Sequence, residues 1–163
     1  GDTEEYRVVK TETRLEAQSR DATVKVMASS GGQIAVGTGT VYRYEGHNIV
    51  VTAAHVIGEP PYLVAVLTQY EYVMAEVVYF DSEMDLAVLV IPDVPGLSSM
   101  PFRPAPERSI KIGTDVLYSG FPNDGELFTI RGYITALTPM RGPVHLVQVC
   151  LIVVVGLSAS WWL

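Results

Sequence analysis

Val50-Val51-Thr52-Ala53-Ala54-His55-Val56 is an apolar strand that gives out on two small residues and then a histidine. A general base must sit at the edge of a cleft with its ring held in place. Small neighbours would leave room there for a substrate backbone. A lone histidine after a strand is more often an ordinary surface or core residue, so its meaning depends on the flanking sequence.

Upstream stands Gly37-Thr38-Gly39-Thr40-Val41, whose glycines also suit a β-bulge or a bend at a barrel corner. Thirty residues past His55 lies Asp81-Ser82-Glu83-Met84-Asp85-Leu86-Ala87-Val88-Leu89. An aspartate at the mouth of an apolar strand is costly to bury unless it accepts hydrogen bonds, and an imidazole N–H is a suitable donor. Asp81 and Glu83 read as solvated turn residues, because only Asp85 abuts the apolar run. On its own, Asp85 would read as a turn cap.

Together these stretches resemble the histidine and aspartate motifs of trypsin-like serine proteases, closest to the Deg/HtrA-type branch and its viral and bacteriophage relatives. Leu117-Tyr118-Ser119-Gly120-Phe121-Pro122 resembles that branch's Gly-Xaa-Pro turn. Gly132-Tyr133-Ile134-Thr135-Ala136-Leu137 resembles its Gly-Xaa-Ile-Ser-Xaa-Leu strand. As plain structure, the pair reads as a hairpin with a glycine bulge. The resemblance covers about residues 24–148 and implies an all-β fold of two six-stranded barrels. It implies a peptidase acting on proteins or peptides, with His55 as base and Asp85 as the group that orients it, and with no metal or organic cofactor.

The nucleophile of that family is a serine within Gly-Xaa-Ser-Gly-Gly, a pentapeptide this chain lacks. The nearest stretch is Gly156-Leu157-Ser158-Ala159-Ser160, which makes Ser158 the candidate nucleophile and the N–H groups of Gly156 and Ser158 the candidate oxyanion hole. Ser158 lies 73 residues past Asp85, a separation normal for the branch, and Gln148 stands ten residues before it. Against it, Leu157 replaces a polar residue, Ala159 adds a Cβ where glycine is usual, and Val149 to Val155 is apolar. Two further strands normally follow the serine, so the second barrel is expected to be incomplete at the C-terminus. A protease-fold protein without activity, serving a structural or binding role, is therefore the alternative.

The rest of the chain is consistent with closely spaced strands. With 163 residues, 48% of them apolar, one ordinary domain has enough material for a core. Fourteen Gly and ten Pro favour short strands over long helices. Thr23 to Met27 alternates with period two, and strands are expected over Gln33–Tyr44, His47–Ala53, Tyr62–Gln69, Tyr72–Phe80, Leu86–Ile91, Asp115–Tyr118 and Leu127–Leu137. Glu45-Gly46 reads as a hairpin turn, and Leu86–Ile91 as a strand buried on both faces. The expected division is an N-terminal arm over 1–21 with a helical turn or two, a first barrel over 22–92, a Pro-rich linker over 93–106, and a second barrel over 107–163.

Net charge is −7, with no Lys/Arg cluster, which argues against nucleic acid as principal partner. His47, His55 and His145 show no i, i+4 pairing, so a histidine metal site is a weak alternative. The single cysteine, Cys150, rules out an intrachain disulfide and a cysteine zinc cage. That usage is compatible with cytoplasm, periplasm or a virion; the expectation leans to a secreted, periplasmic or virus-associated protein. Gly1 reads as a processed end or a boundary. Oligomeric state is not legible in the sequence.

The tail has two other readings. Leu146 to Leu163 carries no charge and is close to the minimum for a membrane span, although Ile152-Val153-Val154-Val155 suits a buried strand equally well. Trp161-Trp162 read one base along would give Gly-Gly, so a shifted reading frame is the other, decided by the coding sequence.

Overall fold

The computed structural model describes residues 12–103, 111–139 and 145–150. Thr13 opens helix α1 (Arg14–Asp21) with a capping box: its hydroxyl accepts the Glu16 N–H, and the Glu16 carboxylate accepts the Thr13 N–H. Six strands follow, the first three joined to one another by hairpins and the last three likewise. They are β1 (Thr23–Ser30), β2 (Gln33–Tyr44), β3 (His47–Thr52), β4 (Tyr62–Leu67), β5 (Tyr72–Asp81) and β6 (Leu86–Ile91), with a one-turn helix α2 (Ala54–Ile57) after β3. Glu45 and Gly46 both take positive φ in the turn between β2 and β3, the conformation such a two-residue hairpin demands.

Pairing runs β1-β4-β5-β6-β3-β2, and β2 returns to β1, so six antiparallel strands close into a barrel without a free edge. Closure depends on β2. Its residues 33–40 pair with β1 and its residues 39–44 with β3. Inward side chains, among them Val24, Val26, Val41, Val50, Val66 and Leu89, fill the interior. The chain is thus all-β, as expected, with one closed barrel among the described residues.

Past the barrel, β7 (Met100–Pro101) pairs in parallel with β2 at Tyr42 and Arg43. The Pro-rich stretch, expected to hold no element, is therefore tacked to the barrel. Proline is tolerated there because the strand lies at a sheet edge, and Phe102 adds edge-to-face contacts with Tyr42 and Tyr44. Then β8 (Asp115–Gly120), β9 (Phe128–Pro139) and β10 (His145–Cys150) form a three-stranded antiparallel sheet in the order β10-β9-β8. This is a partial second sheet rather than a second closed barrel. No helix among the described residues is long and apolar enough to cross a membrane. Leu146 to Cys150, the start of the uncharged stretch, is strand; residues 151–163 lie outside the described residues.

Two expectations need correction. Leu86–Ile91 is buried fully on one face only: Ala87, Leu89 and Ile91 point inward while Leu86, Val88 and Val90 are half-covered. A barrel strand has only one face toward the interior. No bulge marks Gly120 or Gly132, since β8 and β9 stay in unbroken register from Asp115↔Tyr133 to Gly120↔Phe128. The shift in this sheet falls between Gln148 and Val149 instead. The N-terminal arm carries α1 on the surface, with none of the helix's residues buried, and polar contacts hold it. From α1, Arg20 donates to Thr129 Oγ1 (2.9 Å), Ser19 pairs with Ser119 (2.8 Å), and Glu16 pairs with Arg131, so α1 is fastened to the second sheet.

Candidate active site

Thr52 ends β3, and the chain turns at once into α2. Four of the five residues from Ala53 to Ile57 are buried, and His55 alone projects outward. Ala53 and Ala54 are 1% and 2% exposed. They are small because they are packed under the end of the barrel, not because a substrate comes close to them.

Gly37 and Gly39 are buried in unbroken register with no bulge, and β2 passes from pairing with β1 to pairing with β3 around Gly39 and Thr40. Their smallness has a packing cause. A Cβ on Gly37 would stand 2.5 Å from Val56 Cγ2, and one on Gly39 would stand 2.5 Å from Val50 Cγ1. Both distances are well inside van der Waals contact. Gly37 therefore lets α2, and with it His55, settle onto β2, while Gly39 makes room for Val50 and Val26 in the barrel interior.

Asp85 reaches His55 from the start of the neighbouring strand, since β6 pairs with β3 at Thr52↔Ala87. Its Oδ2 accepts from His55 Nδ1 at 2.6 Å, and its Oδ1 accepts the His55 backbone N–H at 2.8 Å. Ala53, which precedes α2, has no side chain able to accept the free N–H groups of a helix start. Asp85 fills that need from the start of the adjacent strand β6. One carboxylate thus holds both the backbone and the ring of the histidine. Because an ionised carboxylate only accepts, the neutral ring carries its proton on Nδ1 and keeps an Nε2 lone pair. The His55 side chain is 55% exposed, against 29% for Asp85. The arrangement gives a solvent-facing base backed by a fixed acceptor.

Asp85 itself has φ +56°, a left-handed conformation uncommon for a residue with a Cβ. Aspartate is among the residues that tolerate it best. The turn before it shows what sequence reasoning missed: Asp81, expected to be solvated, is half-buried and accepts the N–H groups of Glu83 and Met84. Glu83 is exposed, as expected. The Asp-Xaa-Glu-Met spacing carries this turn signal, for aspartate commonly accepts from N–H groups two and three residues on.

Thr38, between the two glycines, was also missed. It is 3% exposed; its carbonyl accepts the Thr52 hydroxyl (2.8 Å), and its own Oγ1 accepts the Phe121 N–H (2.9 Å) from the second sheet. It therefore links the strand that leads to His55 with the turn after β8. Close by, the Tyr118 side chain is folded over Gly120, where any Cβ would collide with its hydroxyl. Burial raises the Tyr118 pKa. Lys25 completes this junction, pairing with Asp124 at 2.8 Å and lying 5.2 Å from the centre of the Phe121 ring.

A family model for the trypsin-like peptidase domain matches residues 37–156, a span holding His55, Asp85 and both buried glycines. The chain belongs to the trypsin-like peptidase family. Solved structures of serine proteases share its fold. The active form of the Rv3671c protease from M. tuberculosis is 22% identical with a TM-score of 0.68, covering 98% of this chain and 77% of its own. The inactive form of the Rv3671c protease is 25% identical with a TM-score of 0.66, covering 89% and 73%. A serine endoprotease from Yersinia pestis is 26% identical with a TM-score of 0.64; it covers 80% of this chain, which spans 46% of its length. No curated protein matches the sequence. The family implies protein or peptide substrates. The family match stops at Gly156, and Gly156 and Ser158 both lie outside the described residues.

Proposed function

We propose that the protein is a serine endopeptidase in which His55, Asp85 and Ser158 form a catalytic triad. The observation that carries this reading is the double grip of Asp85 on His55, which leaves Nε2 directed away from the acceptor and available to a nucleophile. In this reaction His55 takes the hydroxyl proton of Ser158 as the serine oxygen bonds to a peptide carbonyl carbon. The N–H groups of Gly156 and Ser158 receive the developing oxyanion. His55 then returns the proton to the departing amine, leaving an acyl-enzyme. Water, deprotonated by His55, releases the acyl group and restores Ser158. Asp85 holds the ring in the required tautomer and stabilises the imidazolium that forms during attack.

A second reading, an inactive protein of the same family, is favoured by the sequence Gly156-Leu157-Ser158-Ala159, which departs from the family's serine motif. Turnover of an unstructured protein substrate decides between them. Cleavage by the wild-type chain that disappears in Ser158→Ala supports the endopeptidase. Cleavage unchanged in Ser158→Ala removes Ser158 from the triad, and no cleavage by the folded wild-type chain favours the inactive protein.

A further inference from the structure

Asp85 can grip His55 only from a backbone conformation that a residue with a side chain seldom adopts, so the surrounding turn must hold it there. Asp81 is placed to do so. It is the last residue of β5 and pairs with Leu86, the first residue of β6, closing a four-residue loop that ends on Asp85. Within that loop its Oδ1 accepts the Glu83 N–H at 2.9 Å and the Met84 N–H at 3.1 Å. Its Oδ2 accepts the Tyr79 hydroxyl at 3.3 Å. Just before, the register of β5 shifts between Val77 and Tyr79, leaving Val78 as an extra residue that turns the strand end. Three donors from three residues therefore converge on one half-buried carboxylate, four residues before Asp85.

We infer that Asp81 is a positioning residue for the His55–Asp85 pair: it fixes the loop from which Asp85 reaches the imidazole. It touches neither His55 nor the cleft, and acts through Asp85 alone. This inference rests on the proposed roles of His55 and Asp85, but not on Ser158.

The test reads the imidazole directly, by nitrogen-15 NMR of histidine-labelled protein at a pH where His55 is neutral. In the wild type the His55 proton is expected on Nδ1. Asp81→Ala, with the fold checked by circular dichroism, is expected to move the proton toward Nε2, the usual site in a free imidazole, with a several-fold loss of the Nδ1–H population. Asp81→Asn keeps a carbonyl oxygen for the two backbone donors and is expected to retain the wild-type tautomer. Glu83→Ala, at an exposed position in the same loop, is the control and is expected to change nothing. If Asp81→Ala fails to fold, Asp81→Ser, which keeps one acceptor, is read in its place, and an intermediate population is expected.

A wild-type tautomer in Asp81→Ala or Asp81→Ser, while Asp85→Ala loses it, would overturn the inference. So would an Asp81→Asn variant as disturbed as Asp81→Ala, because charge rather than the turn bonds would then be acting. Labelling of the same samples with a fluorophosphonate keeps the two questions apart. The expected tautomer series without labelling of Ser158 contradicts the peptidase reading and leaves the role of Asp81 standing.

Discussion

His55 is held at two points by one carboxylate, and the two points have different consequences. The bond to its backbone N–H caps a helix start that lacks its own acceptor, whereas the bond to Nδ1 sets the tautomer. Removing the base of such a triad lowers turnover by about 10⁶, so His55→Ala is expected to show no measurable peptide hydrolysis; unchanged hydrolysis would remove His55 from the mechanism. Asp85→Asn keeps the shape but brings an N–H2 against the ring, and a loss of roughly 10⁴ in kcat is expected from the wrong tautomer. Both are read from initial rates on a peptide substrate. The pairing of His55 with Asp85 was legible through the resemblance of their flanking stretches to the family's motifs, since either residue alone reads as ordinary. Asp81 and Thr38 were not recognised, since their roles consist of hydrogen bonds to backbone groups that exist only once the chain has turned. Ala53 and Ala54 were noticed for the wrong reason: smallness in sequence does not distinguish clearance for a ligand from close packing.

At the level of elements, α2 is seated by what β2 lacks. Gly37→Ala would drive a methyl group into Val56, and overpacking of this kind costs about 1–3 kcal/mol. The expected result is a lower urea midpoint together with reduced activity, because the displaced residue adjoins His55. Thr38→Val leaves the half-buried Phe121 N–H without its acceptor, which costs about 1 kcal/mol. Thr38→Ser restores the acceptor, so most of the loss should be recovered in the same denaturation experiment. Helix α1 supplies a pH-dependent contact. The Arg131 guanidinium bonded to Glu16 holds its carboxyl below the ordinary value of 4.5. A depressed carboxyl favours the docked form above the ordinary value, and that contribution fades as pH falls from about 4.5 through the lower, docked-state value. Amide resonances of α1 are thus expected to shift toward those of an undocked segment on acidification while barrel resonances hold, and Glu16→Gln should remove the transition. The strands themselves were readable from their period-two patterning. The docking of α1 was not, because its anchors are polar and lie on average about a hundred residues away, beyond the reach of periodicity.

For the whole molecule, the division of labour follows from topology. One closed barrel carries His55 and Asp85, and the partial second sheet meets it through Thr38, Lys25 and α1. The strands of the first barrel were legible because each is bounded by turn residues. How the chain closes on itself was not, since the pairings of β1 with β4 and of β3 with β6 are non-local and leave no mark on local sequence. Leu89, fully buried at the centre of that barrel, is expected to cost about 2–5 kcal/mol when truncated to alanine, seen as a lower urea midpoint for the barrel. Whether the barrel serves catalysis turns on the serine that the His–Asp pair is proposed to activate. The most direct measurement is labelling of the folded chain with a fluorophosphonate, followed by mass-spectrometric mapping of the modified residue. Labelling at Ser158 that is lost in His55→Ala is the expected result. A folded chain that takes no label, or takes it at another serine independently of His55, would contradict the account.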